Sequence, residues 1–183
     1  MSMNYEELDN KTRENMLKEF EKEINSGNPY LSKSLTEIGK TKFPELMRNA
    51  LEKGTEITLY ENLLKPEYWV NEESYTRNGV TNRRKLNYFQ AASRLAITEF
   101  STWYVAGLAK KLLDEGEENC EIYRGQKPKW EPGDCANHEG KIVSVKEIYD
   151  NHRKRYWPEP GDDTKFSIPF GPGCHHIIKR IKN

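Results

Sequence analysis

Cysteine is scarce here: Cys120, Cys135 and Cys174 are the only three in 183 residues. An odd set at that density is not a disulfide-stapled secreted scaffold, and a reducing compartment is the expectation. No apolar run is long enough to span a bilayer, and the first residues show no signal-peptide pattern, so no membrane partner is expected. Net charge is also absent, with 29 basic and 29 acidic side chains. Long-range steering toward nucleic acid by overall charge is therefore not expected. Only 35% of the residues are hydrophobic against 32% charged, which describes a lean core under a wet surface. Internal repeats and low-complexity tracts are lacking too.

What is present reads as a mainly helical α+β chain, in three regions. Residues 1–70 form an N-terminal helical unit. Leu8, Leu17, Phe20 and Ile24 mark one face of a helix over 4–25, with a start nearer residue 9 left open by Asp9. A second helix is expected over 42–53, with Pro44 in its first turn, and a third from a Thr55 cap to about Leu64. Residues 71–86 form a hairpin turning at Asn78-Gly79, or an extended arm. Residues 87–183 hold a long central helix from Asn87 to about Asp114 and a small C-terminal β-ribbon subdomain. Its expected strands are Cys120–Arg124 and Ile142–Val145, with 166–170 extending along them and Ile177, Ile178 and Ile181 sealing the end. Gly107 reads as a close-packing position on the long helix. Glu99, among apolar neighbours, either flanks the packed stripe or anchors a loop by accepting backbone or arginine hydrogen bonds.

The densest chemistry lies in two short clusters: Cys135-Ala136-Asn137-His138, within a loop from Gly125 to Gly140, and Cys174-His175-His176, after a turn-rich return. Cys135, His138, Cys174 and His176 together would offer two thiolates and two imidazoles, a set that suits a structural, tetrahedral Zn2+. His175 would point elsewhere or replace His176. Two alternatives stand beside this clasp: buried cysteines with ordinary hydrogen-bonded histidines, or a reversible Cys135–Cys174 disulfide. A metal-dependent nuclease could draw on Asp134 and Glu139, with His175 as base. Cysteine-nucleophile chemistry would pair Cys135 or Cys174 with a histidine. Four protein ligands would leave no open metal position, so no catalytic residue is assigned. The basic stretches Arg153, Lys154, Arg155 and Lys179, Arg180 are candidate DNA or phosphate contacts, with Tyr156 and Trp157 available for stacking. Their plainer reading is a solvated face whose aromatics pack on the core.

The order of these features resembles the C-terminal domain of phage minor head proteins of the Mu gpF type. That family carries an Ala-Arg-Thr-Glu signature with a glycine eight residues after its Glu; here Thr98, Glu99 and Gly107 hold those places, with Ile97 replacing the Arg. Cys135 to Gly140 follows the frame of the family's Cys-Pro-x-Cys turn. Gly171-Pro172-Gly173-Cys174-His175-His176 follows its closing His-Pro-Asn-Cys-Arg-Cys, with Gly171 replacing the leading His. The resemblance covers roughly residues 88–180. It implies a head-morphogenesis structural protein without turnover, touching portal or capsid subunits and packaged DNA. It would act in the virion's head or neck region, after assembly in the cytoplasm of the infected bacterium. The alternatives are a small metal-dependent nuclease or nucleic-acid-binding factor, and a phage-encoded binder of a host protein.

Overall fold

The computed structural model describes residues 2–127 and 134–182, so part of the expected 125–140 loop lies outside the described residues. The protein is mixed helix and strand, with a long central helix and a small C-terminal sheet. That helix, α4 (Tyr88–Asp114), begins where Asn87 accepts a hydrogen bond from the Gln90 N–H. It ends at Gly116, whose φ of 81° suits a residue without a Cβ. Between Thr98 and Ala109 every residue is buried. A helix buried all round needs cover on every side, and α4 has it from the elements described next. Trp103, Tyr104, Phe100, Leu108 and Leu112 are its largest buried side chains. Each contributes on the order of 1.5–3 kcal/mol through apolar area removed from water.

Helix α1 (Asn10–Asn25) starts at Asp9, whose carboxylate accepts from the Thr12 N–H at 2.9 Å and from Lys111 Nζ of α4 at 2.6 Å. One residue thus caps one helix and ties it to the next. Gly107 is the point of closest approach: a Cβ there would lie 2.5 Å from Met16 Cγ and 2.8 Å from the Thr12 carbonyl oxygen. Helix α2 (Glu37–Lys53) starts a turn and a half before the expected residue 42, which places Pro44 inside it. The early start has a local and a tertiary cause. Thr36 accepts from the Gly39 N–H, while its hydroxyl donates to the Glu67 carbonyl across the chain. Helix α3 (Glu56–Leu63) follows on the Thr55 capping box and packs on α4.

The hairpin has formed, as β1 (Glu72–Arg77) paired antiparallel with β2 (Val80–Lys85). Asn78 and Gly79 both take positive φ, 51° and 75°, as a tight two-residue turn with the right twist requires. In the C-terminal part β3 (Asn119–Arg124) is the middle strand of an antiparallel sheet. It lies between β4 (Ile142–Ser144) and β5 (His176–Arg180). Short helix α5 (Val145–Asp150) follows β4, capped by Ser144, and packs on α4. Residues 166–170 form no strand; β5 takes the place beside β3, because Ile177 and Ile178 are fully buried there. The hydrophobic core is continuous from Met3 through α4 to Ile178, so the N-terminal helices and the sheet share it.

Candidate metal centre

Three chain segments meet at the lower edge of β5. Cys135 comes from a 3-10 turn over Asp134–His138. Cys174 closes a turn in which its N–H donates to the Gly171 carbonyl at 3.0 Å. His176 opens β5 opposite Arg124 of β3. The ligand atoms of Cys135, Cys174 and His176 all lie within 4.8 Å of one another, so the group can hold a metal ion. Cys174 and His176 are buried; Cys135 is half-buried.

The local geometry fits an ion in several ways. Cys174 Sγ stands 3.6 Å from His176 Nδ1. Metal–sulfur and metal–nitrogen bonds of about 2.3 and 2.0–2.1 Å at tetrahedral angles would set those atoms about 3.5 Å apart. The His176 N–H donates to Cys174 Sγ at 3.4 Å, and a donor aimed at sulfur favours the thiolate a metal requires. His176 Nε2 is buried without a hydrogen-bond partner and faces Glu139 Oε2 at 3.5 Å. With Nδ1 on a metal, Nε2 would carry the proton and turn it toward that carboxylate, the usual support of a metal-bound histidine. Glu139 is itself held by Arg124 Nε at 2.9 Å. Burial pushes the Cys174 thiol up to about 11. Burial and then Arg124 lower the His176 pKa, which keeps the imidazole neutral, as a ligand must be.

His138, the fourth expected ligand, stands outside the three-residue group. Its ring is taken up by Phe166 at 5.0 Å and Phe170 at 5.2 Å. The two-residue spacing in Cys135-Ala136-Asn137-His138 permits a shared ion, but the aromatic contacts turn the imidazole aside. His175 stands just before β5, outside the three-residue group, and its carbonyl accepts from the Gly125 N–H at 2.9 Å. The Asp134 side chain lies outside the described residues. Arg124 carries no signal in the sequence; only the β3–β5 register brings it opposite His176.

A second polar arrangement lies further up α4. Arg153, one of the expected phosphate contacts, is buried. Its guanidinium donates to Glu99 in a bidentate pair at 2.8 and 2.9 Å, and it lies over the rings of Tyr30 and Trp103. Burial opposes the charge, but Glu99, Tyr156 and Glu23 outweigh it, and its pKa stands well above the ordinary arginine value. Arg153 therefore cannot serve as a surface phosphate contact. Glu99 is the anchor for an arginine that its apolar setting suggested. Of the other basic candidates, Arg155 donates to the Asp163 carbonyl and covers Phe170. Lys179 pairs with Glu121 at 3.2 Å, and Arg180 with Glu115 and Glu117. Lys154 is exposed and forms no ion pair among the described residues. Tyr156 and Trp157 pack edge-on against Tyr30.

No helix among the described residues is long and apolar enough to cross a membrane. Comparison of the chain with protein-family models, with curated proteins and with solved structures gives no match.

Proposed function

We propose that the protein is a structural component of a phage head, docking on portal or capsid subunits, and that Cys135, Cys174 and His176 hold a structural zinc ion. The observation that carries this reading is the way its signature positions close on one another. Thr98 Oγ1 accepts from the N–H of Gly173, in the closing motif, at 3.1 Å. Glu99 holds Arg153, Gly107 seats α4 against α1, and Cys135 meets Cys174 and His176. Two sets of positions in this frame are thus also neighbours in space, Thr98 with Gly173 and Cys135 with Cys174 and His176.

Zinc is the metal of choice for two thiolates and an imidazole in a buried setting. It would pin the 134–138 turn to β5 and so close the loop between β3 and β4 as a cross-link. Two measurements test the proposal separately. Particles and assembly intermediates from a phage carrying this gene should contain the protein by mass spectrometry; its absence from both sinks the head role. Elemental analysis of the purified protein should return zinc near one per chain, and substoichiometric zinc with a melt indifferent to chelator sinks the clasp.

The rival reading is metal-assisted hydrolysis, favoured by one feature: three protein ligands leave a fourth position free. Cleavage of DNA that needs a divalent metal and disappears in His176→Ala would support it. Intact DNA across several divalent metals would remove it.

A further inference from the structure

The β1–β2 hairpin is the part of the fold that the metal centre and the core leave unexplained. Its strands make their close contacts with each other. All of its strand residues except Glu73 and Asn82 are exposed. An isolated two-stranded hairpin is marginal in water, and this one buries little in return for being ordered. It is held at its root, where the Leu86 N–H donates to the Asn71 carbonyl and the Val70 N–H to the Ser34 carbonyl.

Its charges are unusual within this molecule. Arg13, Arg48, Arg84, Arg124, Arg153, Arg155 and Arg180 all have a hydrogen-bond or ion-pair partner. The arginines with no such partner among the described residues are Arg77, Arg83 and Arg94. The first two are on the hairpin. The third lines the cleft that Glu73 also lines, at the hairpin's root. Lys85 on β2 is likewise exposed and forms no ion pair among the described residues. Arg77, Arg83 and Lys85 thus stand on one exposed arm without an ion pair among the described residues, while the other arginines except Arg94 are engaged.

We propose that this hairpin is a docking arm for the phosphate backbone of duplex DNA. It goes beyond the head role and the metal centre, and it needs neither to be correct. The register places Arg83 and Lys85 on one face with Ser74, Thr76, Thr81 and a single acid, Glu72, opposite Lys85; Arg77 is on the other with Asn82 and the Glu73–Arg84 pair. Cations mixed with hydroxyl and amide groups are the side chains that contact phosphates. Six-residue strands extend about 20 Å, and a two-stranded ribbon fits a major groove about 12 Å wide. Against an acidic protein surface as the partner, the arm lacks a buried apolar anchor of the kind such interfaces are built on. Val80 is its sole exposed aliphatic residue, and Tyr75 is covered by the Arg84 guanidinium. Pairing of its edges with another strand is opposed by the charges along them.

Fluorescence anisotropy on the full chain, with a labelled random-sequence duplex at low and physiological salt, tests this. The R77A/R83A/K85A variant should bind about tenfold or more weakly at low salt, and its log–log salt slope should shrink by about 2–3. Its melting midpoint should match the parent's, because the arm packs on nothing it could unseat. R77K/R83K should retain most of the binding, and K154A/K179A should bind as the parent does. The proposal falls if the triple variant binds duplex as well as the parent, or if the parent binds none at low salt. It also falls if a polyglutamate probe binds the arm in preference to duplex, which would assign an acidic protein partner instead. None of these failures bears on the head role, which particle composition decides.

Discussion

Two places fasten the C-terminal half of this chain, and they are finished in different ways. At Arg153 the charges are balanced within the protein, although Nε makes no hydrogen bond and meets Glu23 only as an ion pair at 3.1 Å. Two carboxylates and three aromatic rings surround one guanidinium, and its bidentate bonds to Glu99 of α4 are 2.8 and 2.9 Å long. At Cys135, Cys174 and His176 the groups converge through weak contacts, the His176 backbone N–H to Cys174 Sγ at 3.4 Å and Nδ1 to the same sulfur at 3.6 Å. The thiol of Cys174 is buried, and His176 Nε2 meets only the Glu139 carboxylate, at 3.5 Å. An arrangement that balances its own charges can form as the chain folds. One that gathers two thiols and an imidazole gains most when a cation arrives.

The first way to break that contrast is to open the finished closure. Glu99→Gln leaves the Arg153 charge buried with a weakened partner, and should cost about 3–5 kcal/mol in urea unfolding. The double variant E99M/R153M removes both charges and should lose less than either single change. If the single change costs nothing measurable, the pair is not what holds the 150s segment to α4. The unfinished closure should respond differently. Zinc at a hundredfold over its dissociation constant should stabilise the parent by about 2.7 kcal/mol, read as a rise in melting midpoint that chelator reverses. Cys174→Ser should abolish that increment, while Glu99→Gln, though weaker overall, should keep it.

How far each closure was legible beforehand follows from the range of the interactions involved. Cys135, Cys174 and His176 could be picked out because thiols and imidazoles are rare here and clustered. His138 looked equivalent by spacing, but Phe166 and Phe170, from a segment some thirty residues later, decide its orientation. Glu99 was readable as an anchor, since an acid inside an apolar stripe needs a cation. Arg153 was not, because a run of four potentially charged residues reads as a solvated face. Its φ of 61° and its burial are set by packing against Tyr30, Trp103 and Tyr156. The ends of α4, α1 and α3 were legible because Asn87, Asp9 and Thr55 cap locally. The start of α2 was missed because Thr36 works jointly with Glu67, a partner thirty-one residues away. Strand β5 escaped notice because its pairing with β3 joins residues more than fifty positions apart.

The helix crossing beneath both closures offers a control. In Gly107→Ala a new Cβ would meet Met16 at 2.5 Å and a backbone oxygen of Thr12 at 2.8 Å. Alanine's better helix propensity offsets about 1 kcal/mol of the resulting strain. Overpacking at a site where the backbone cannot yield should still leave a net loss of about 1–2 kcal/mol. Zinc uptake per folded chain should not change. A variant as stable as the parent would mean that α1 can slide away from α4, and Gly107 would lose its packing role.

The smallest effect, taken over one pH unit, separates two imidazoles that look alike. His152 Nε2, like His176 Nε2, is buried without a hydrogen-bond partner. His152, however, lies against Trp103 at 5.0 Å with no thiol nearby, next in sequence to the Arg153 charge. Burial, then Arg153, pushes its pKa down to about 3. In the unfolded chain the same ring protonates near the ordinary value of about 6.5. Between those two values the unfolded state binds the proton and the native state does not, so protonation favours unfolding. The neutral ring's contribution is whole above about pH 6.5 and is lost as pH falls toward 3, with a slope of about 1.4 kcal/mol per unit. Urea midpoints across that window should fall in the parent and fall less steeply in His152→Gln. The His152 ring signals in NMR should not titrate above about pH 4 in the native state. If they titrate near 6.5, the ring is open to water and its burial costs the protein nothing on acidification.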